Sequence, residues 1–315
     1  VPLRIGTRGS ALAVAQSTQV ARSLEALGQE VELITIRTSG DETAPTPDVE
    51  DKARFVKEIE QALLDGEIDL AVHSAKDVPG QLPEGLSIVA VPERADPRDA
   101  LCLGPSSVGP TGPSGAPGAA ALAPLREGAA VGTASLRRRA QLLALRPDLD
   151  VRDLRGNVDT RLRRLAEGEL DAIVLAAAGL VRLGRAGEGA PLPEQSLVPA
   201  AGQGCLALEA REDDAVTRRL ASRLTDPRAF ACLTAERTLV TAIDATCHTP
   251  VGAYATIENH AVIHLRAFVG TPDGATWIRD EVRGLAEEPK TVGAEAAERL
   301  LAAGAREILT AAEAG

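Results

Sequence analysis

Residues 66 to 80 read GEIDLAVHSAKDVPG. The first half, Ile68-Asp69-Leu70-Ala71-Val72, has the apolar run of a short buried strand. The run then stops. His73, Ser74, Lys76 and Asp77 follow in quick succession, and Pro79-Gly80 closes the stretch. In open α/β sheets ligands bind just beyond the carboxyl ends of strands, so titratable groups at this point form a candidate catalytic cluster. Taken alone, the cluster is better read as a solvated loop with an incidental Lys76–Asp77 pair. The rest of the chain reverses that preference.

The same grammar returns further along. Gly168-Glu169-Leu170-Asp171-Ala172-Ile173-Val174 echoes Gly66-Glu67-Ile68-Asp69-Leu70-Ala71-Val72, and each follows an amphipathic helical stretch. Ala130-Val131-Gly132-Thr133-Ala134-Ser135 repeats Ile5-Gly6-Thr7 and Ser10: strand, Gly-Thr turn, Ser, then helix. Two βα units share such a grammar by chance often enough, but two similar α/β domains in one chain is the economical reading. A cleft between them is the default ligand site.

Around these echoes the chain divides further. Strands are expected at 3–7, 31–37 and 86–91, with Ser10 capping a helix over 11–27 and a second, amphipathic helix over 55–64. Residues 38–54 are polar, acidic and Pro-containing and read as a mobile loop. Residues 104–121 are almost wholly Gly, Pro, Ser and Ala, with no three-residue period, and read as a flexible insertion. Pro199-Ala200-Ala201-Gly202-Gln203-Gly204-Cys205 carries the chain back to the first domain through the strand 206–209. From Asp226 a third unit begins: a helix over 230–242, strands at 252–257, 261–269 and 276–282 with a hairpin turn at 271–274, and a closing helix over 295–308. The expected organisation is α/β, with a first lobe of 1–96 and 201–221, a second lobe of 97–200 and a C-terminal α+β domain of 226–315.

The composition, 44% apolar and 25% charged over 315 residues, is that of a soluble globular protein. A net charge of −11 argues against a nucleic-acid binder, and no apolar run is long enough to span a bilayer. Of 34 basic residues only Lys52, Lys57, Lys76 and Lys290 are Lys, and three of them fall around the opening stretch. The four Cys have no CxxC or His-Cys metal spacing and are too few for a disulfide framework. No metal, reduced thiols and a cytoplasmic setting are expected.

Two constellations carry chemistry. Between Arg137 and Arg164 lie nine Arg and four Asp, a strongly basic block inside an acidic chain. Ser135-Leu136-Arg137-Arg138 and Leu154-Arg155-Gly156-Asn157, with Arg161 beyond, open two helices, where free N–H groups attract anions. Arg139, Arg163 and Arg164 read as a solvated helix face. Arg137, Arg138, Arg155 and Arg161 stand at element ends that can converge on a site for several carboxylates, with phosphate as the competing ligand. The second constellation is a thiol. Cys102, Cys205 and Cys232 have Leu or Ala neighbours and read as buried and inert, whereas Cys247 lies in the polar loop Asp244-Ala245-Thr246-Cys247-His248-Thr249-Pro250. Walker A, GxSxG, HExxH and Rossmann signatures are absent.

These residues fall into a known pattern. Arg4-Ile5-Gly6-Thr7-Arg8-Gly9-Ser10, Phe55-Val56-Lys57-Glu58, Val72-His73-Ser74-Ala75-Lys76-Asp77-Val78-Pro79, Val131-Gly132-Thr133-Ala134-Ser135-Leu136-Arg137-Arg138, Leu154-Arg155-Gly156-Asn157-Val158, Pro199 to Gly204 and Cys247 to Tyr254 occur in the order of the porphobilinogen deaminase (hydroxymethylbilane synthase) family. The chain resembles that family over nearly its whole length. The resemblance implies two lobes like those of type II periplasmic binding proteins, with the active site between them. It implies a dipyrromethane cofactor held by a thioether to Cys247, and Asp77 as the catalytic carboxylate. Arg8, Ser10, Ser135, Arg137, Arg138, Arg155, Arg161 and Arg182 match cofactor- and substrate-binding positions, and Lys76 and Gln203 match neighbours counted with them. The implied reaction is stepwise condensation of four porphobilinogen molecules with loss of ammonia, then hydrolytic release of hydroxymethylbilane by a monomer that needs neither nucleic acid nor membrane. The insertion at 104–121 is longer than that pattern, and Arg54 departs from it in the loop. A non-catalytic two-lobed anion-binding protein is the alternative, and Cys247 separates the two because such a protein has no use for it.

Overall fold

A computed structural model describes residues 1–36, 51–105, 107, 118–246 and 249–314, with the backbone alone for 51–55, 313 and 314. Cys247, most of the expected 38–54 loop and most of the 104–121 insertion lie outside the described residues.

The chain opens with β1 (Leu3–Arg8), α1 (Ala11–Glu25), β2 (Val31–Ile36), α2 (Asp51–Leu64), β3 (Leu70–Ser74) and β4 (Leu86–Ala90). It then builds β5 (Asp99–Leu103), β6 (Ala130–Gly132), α3 (Leu136–Leu145), β7 (Asp150–Arg152), α4 (Val158–Ala166), β8 (Ala172–Ala176), α5 (Ala177–Arg182) and the two-residue β9 (Ala190–Pro191). After these come β10 (Leu206–Arg211), α6 (Ala215–Ser222), α7 (Pro227–Ala242), β11 (Val251–Glu258), β12 (Val262–Gly270), β13 (Trp277–Leu285), α8 (Pro289–Ala302) and α9 (Ala305–Ala314).

The strands form two five-stranded sheets, β2-β1-β3-β10-β4 and β7-β6-β8-β5-β9, and a three-stranded sheet, β11-β12-β13. The two larger sheets have one plan. Three parallel strands are followed by an antiparallel strand that arrives from the other part of the chain: β10 pairs Ala207 with His73, and β5 pairs Asp99 with Ala176. Each sheet is therefore completed by a strand that has crossed between the lobes.

The sequence echo has a physical basis. Asp69 accepts from the Arg4 backbone N at 2.9 Å, and Asp171 accepts from the Ala130 backbone N at 2.7 Å. Each is also clamped by an Arg, Arg4 Nη2 at 2.6 Å and Arg126 Nη2 at 2.7 Å. The same carboxylate thus caps the same point of the neighbouring parallel strand in both lobes. The Gly of each Gly-Thr pair is fixed likewise. A Cβ on Gly6 would run into Ile68 Cδ1, and one on Gly132 would fall 2.6 Å from Leu170 Cδ1.

Helices cover both faces of each large sheet. In lobe one, Val20 and Leu24 of α1 pack on Ile5, Leu70, Val72 and Leu208, while Ile59 and Leu63 of α2 cover Ile68 and Ala71 on the other face. Burying a side chain such as Ile59 or Leu63 contributes roughly 1.5–3 kcal/mol. In lobe two, Leu142 and Leu145 of α3 cover Val131 and Val174, and Leu162 and Leu165 of α4 cover Ile173 and Leu175. The C-terminal sheet has one face packed on α7, α8 and α9 through Leu239, Leu265, Ala297, Leu300 and Ile308. Its other face meets lobe two at Phe268, against Ala140 and Val198. Among the described residues no helix is long and apolar enough to cross a membrane.

Several boundaries differ from the sequence expectation. β3 starts later and runs through His73 and Ser74, because His73 is buried at the sheet and not delivered to its edge. Helix α2 begins at Asp51, inside the segment read as loop to residue 54. The end of the expected flexible insertion, 119–121, enters a short 3-10 turn, Ala119–Leu122, with Ala119 and Leu122 buried. The closing helix is two helices, divided at Gly304, whose φ of +98° ends α8 in the left-handed region.

Two segments cross between the lobes, 91–98 and 192–205. Arg94 Nε donates to the Gln203 carbonyl at 2.9 Å, and Ala95 N donates to the Gly204 carbonyl at 3.2 Å. Gly204 has φ +91°, and a Cβ there would strike the Ala95 carbonyl, so only Gly lets the crossings lie this close.

Candidate active site

At the end of β3 the backbone makes one 3-10 turn, Ala75–Asp77. Ala75 N donates to the Cys205 carbonyl at 3.0 Å, which ties the turn to the returning segment. Arg237 of α7 holds the far side, donating to the Pro79 carbonyl at 2.6 Å and the Gly80 carbonyl at 3.1 Å. Lys76 and Asp77 are half-buried on this braced turn. Gln16 of α1 donates to Ser74 Oγ at 2.7 Å, and Ser10 caps α1 by accepting from Ala13 N at 3.3 Å. Arg8 ends β1, the strand beside β3.

His73 does not belong to this group. Side chains alternate along a strand, and the His73 ring turns to the α2 face. Its Nε2 lies 2.9 Å from Glu209 Oε2, off the line of a hydrogen bond, with Glu60 of α2 as a neighbour of the pair.

Lobe two supplies the cations. Arg137 and Arg138, in the first turn of α3, are only 4% and 5% exposed, and both guanidinia end on Asp99. Arg137 donates to Asp99 Oδ2 at 2.7 Å and Oδ1 at 3.1 Å, and to the Val198 carbonyl at 2.8 Å. Arg138 Nε donates to Asp99 Oδ1 at 2.9 Å, and its Nη1 donates to the Val174 carbonyl at 2.8 Å. Gln203 Nε2 joins them at 3.0 Å from Asp99 Oδ1. Burial works to raise the Asp99 pKa, but the two guanidinia win and hold it well below the usual carboxylate range. Arg138 is shifted down by its burial and by the like charge of Arg137.

Arg161 of α4 is half-buried. Its pKa is lowered to about 10, first by burial and then by Arg138, with Asp153 and Asp77 acting the other way. Asp77 on lobe one and Arg138 on lobe two therefore both act on Arg161. Arg161 Nε donates to the Gly156 carbonyl at 2.7 Å. Arg182 of α5 donates from Nη2 to the Gly204 carbonyl at 2.9 Å, while its buried Nε has no hydrogen-bond partner among the described residues. Ser135 stands at the N-cap of α3 without a side-chain capping bond. Arg155 is exposed and bonded to Asp153 at 3.0 Å, apart from the buried group.

The described thiols are poor nucleophiles. Burial pushes Cys102 and Cys205 up to about 11 and Cys232 up to about 12. Cys247 lies outside the described residues, but its flanks are tied together: Thr246 N donates to Thr249 Oγ1 at 2.9 Å, and Thr249 Oγ1 donates to the Thr246 carbonyl at 2.7 Å.

Several buried polar groups were not singled out by the sequence. Asp99 is one. Arg146, counted there with the basic block, is 1% exposed and bonded to Asp148 at 2.7 Å. Arg94 and Glu236 meet at 2.6 Å, and Glu236 also accepts from Gly202 N and Ala255 N, each at 2.7 Å, which locks the crossings to the C-terminal domain. Asp99, Arg94 and Glu236 have partners remote in sequence, so no local pattern marks them, whereas Arg146 and Asp148 stand two residues apart.

A family model described as porphobilinogen deaminase, dipyromethane cofactor binding domain, matches residues 3–219, and one described as the porphobilinogen deaminase C-terminal domain matches residues 230–302. The porphobilinogen deaminase of Thermus thermophilus is 47% identical over 310 residues, covering 97% of each chain. That of Rubrobacter xylanophilus is 47% identical, covering 98% of this chain and 96% of its own. That of a Roseiflexus species is 47% identical, covering 98% of both.

Proposed function

The chain belongs to the porphobilinogen deaminase family, transferases of tetrapyrrole biosynthesis that condense porphobilinogen, and we propose that Asp77 is its catalytic carboxylate and Cys247 its cofactor anchor. The observation that carries this reading is that three consecutive residues of the returning crossing touch the groups of both lobes: Cys205 accepts from Ala75 of the Asp77 turn at 3.0 Å, Gly204 accepts from Arg182 at 2.9 Å, and Gln203 donates at 3.0 Å to Asp99, the carboxylate on which Arg137 and Arg138 end.

Buried cations in excess of carboxylates are costly without an anion. Arg137 and Arg138 are buried against the single carboxylate of Asp99, and half-buried Arg182 keeps an unsatisfied buried donor. A pyrrole chain with an acetate and a propionate on every ring fits that demand. The first family domain is a dipyrromethane cofactor binding domain; Arg137, Arg138, Arg161 and Arg182 would hold the group, with Arg8, Ser10, Lys76, Ser135, Arg155 and Gln203 around it, and a thioether to Cys247 would anchor it. When bound it supplies the pyrrole end on which the product is built. The Arg residues bind and orient the carboxylates of incoming porphobilinogen. Asp77 offsets the positive charge that develops on the substrate as ammonia leaves, and handles its protons. Four condensations and hydrolytic release of hydroxymethylbilane complete the cycle, in a cytoplasmic monomer that needs neither nucleic acid nor membrane.

A plain two-lobed anion-binding protein is not favoured, since the family match runs through both lobes and the C-terminal domain. The test is intact mass and peptide mapping. The purified protein is expected to exceed its sequence mass by about two pyrrole units, with the extra mass on the peptide containing Cys247, and Cys247→Ala is expected to fold, to lack the added mass and to show no turnover. Pyrrole found on Cys205 or Cys232 would sink the assignment.

A further inference from the structure

Asp99 is the first residue of β5, directly after one crossing between the lobes, and it is fully buried. Its carboxylate collects three side chains from two places: Arg137 and Arg138 from α3, and Gln203 from the other crossing. Gln203 Nε2 lies also 2.6 Å from the Pro97 carbonyl, so both crossings are pinned beside this carboxylate. We propose that Asp99 is a positioning residue for the anion-binding wall: a buried counterion that sets where Arg137 and Arg138 stand while touching no substrate itself. The inference rests on the family reading given above.

The donor count supports it. A guanidinium has five N–H donors. Arg137 spends three, two on Asp99 and one on the Val198 carbonyl. Arg138 spends Nε on Asp99 and one Nη1 donor on the Val174 carbonyl, and holds Nη2 at 2.8 Å from Asp99. Each fork is fixed along one edge and keeps two donors beyond these contacts. The charge count points the same way, because two guanidinia share one carboxylate and one positive charge is left in a buried place. That excess attracts an anion only while Asp99 keeps the two like charges side by side. With a neutral residue at 99 they repel, and the donors move off the positions a ligand carboxylate needs. A misplacement of about 1 Å costs on the order of a hundredfold.

The signature differs from that of Asp77. Loss of ligand positioning raises KM more than it lowers kcat, whereas loss of the reacting carboxylate lowers kcat. The wild-type protein is measured first; if it neither carries pyrrole mass nor consumes porphobilinogen, the family reading fails before Asp99 is at issue. Asp99→Asn is then expected to give a folded protein by circular dichroism, with pyrrole mass reduced and, in the fraction that carries pyrrole, KM for porphobilinogen raised on the order of a hundredfold. Asp99→Glu keeps the charge but displaces it, and is expected to recover all but about a tenfold rise in KM. Wild-type loading and KM in either folded variant would overturn the proposal, as would a lowered melting temperature with KM unchanged. Should neither variant fold, nitrogen-15 arginine spectra of the wild-type protein decide: a slowly exchanging Arg138 Nε–H is required, and its absence overturns the assignment.

Discussion

The two lobes share one frame and differ in what they place on it. When the Gly66 and Gly168 stretches are aligned on their common Gly-Glu-X-Asp, Asp69 and Asp171 cap the same point of the adjacent strand, and Ile68 and Leu170 press on the same Gly. Beyond the strand the lobes part. Lobe one continues into Ser74-Ala75-Lys76-Asp77, a turn carrying two charges, where lobe two continues into Ala176-Ala177-Ala178-Gly179, the start of α5. Between sheet and helix, lobe one buries Glu60 of α2 with His73 and Glu209, where lobe two buries Leu162 of α4 with Leu175 and Cys102. The cations are divided the other way, with Arg137, Arg138, Arg161 and Arg182 all on lobe two. A duplicated α/β frame thus carries a carboxylate on one side and a cationic wall on the other. What is common to both lobes serves the fold, and what differs between them is the place to look for chemistry.

The largest break in that comparison is expected on the cationic wall. Arg137→Leu and Arg138→Leu should each stop cofactor assembly or the first condensation, because each removes charge-assisted bonds of roughly 1.5–3 kcal/mol apiece and strands Asp99. Arg163 and Arg164 pair with Glu167 and Glu169 on the exposed side of α4, so the same change there should leave pyrrole mass and turnover close to wild type. Equal losses at all of these positions would mean that a general field acts, without a built site.

The shared frame predicts paired, smaller effects. Asp69→Ala and Asp171→Ala each leave a strand-starting N–H without its acceptor, at a cost of about 1–3 kcal/mol. Thermal unfolding should show two destabilisations of similar size. A large effect at one and none at the other would break the equivalence of the lobes.

The smallest effect sharpens the difference within the sheets. Burial, with the neighbouring Glu209 charge, raises Glu60 to about 7, and His73 opposes this. A carboxyl raised above its unfolded value contributes stability that is fully present below about pH 4.5 and is lost as pH rises through about 7. Wild-type melting temperature should therefore fall between about pH 5 and about pH 8, and Glu60→Gln should flatten that slope. An identical slope in the variant would place the proton elsewhere.

Much of the fold was legible in the sequence because the signals were local. Apolar runs, Ser10 before a helix, Thr271-Pro272-Asp273-Gly274 between strands and the repeated Gly-Glu-X-Asp each report on a few consecutive residues. The site was legible only where groups are adjacent in the chain, as at Lys76-Asp77 and Arg137-Arg138. Asp99 was not, since its partners at 137, 138 and 203 come together only after both crossings form. His73 was misplaced for the same reason: its partner Glu209 sits on a strand that returns from lobe two. The end of β3 was read too early because a buried His and Ser look polar in sequence while their backbones stay in the sheet.

Asp77 is the residue whose removal separates chemistry from binding most directly. Asp77→Ala, purified with its covalent pyrrole confirmed by mass, leaves the lobe-two arginines and Cys247, the proposed anchor, in place. Its rate of porphobilinogen consumption is expected to fall by orders of magnitude while the pyrrole chain stays bound, and Asp77→Glu should retain a little turnover because a carboxylate remains but is displaced. Turnover near wild type in Asp77→Ala would remove this carboxylate from the mechanism and leave Ser74–Asp77 as a structural turn.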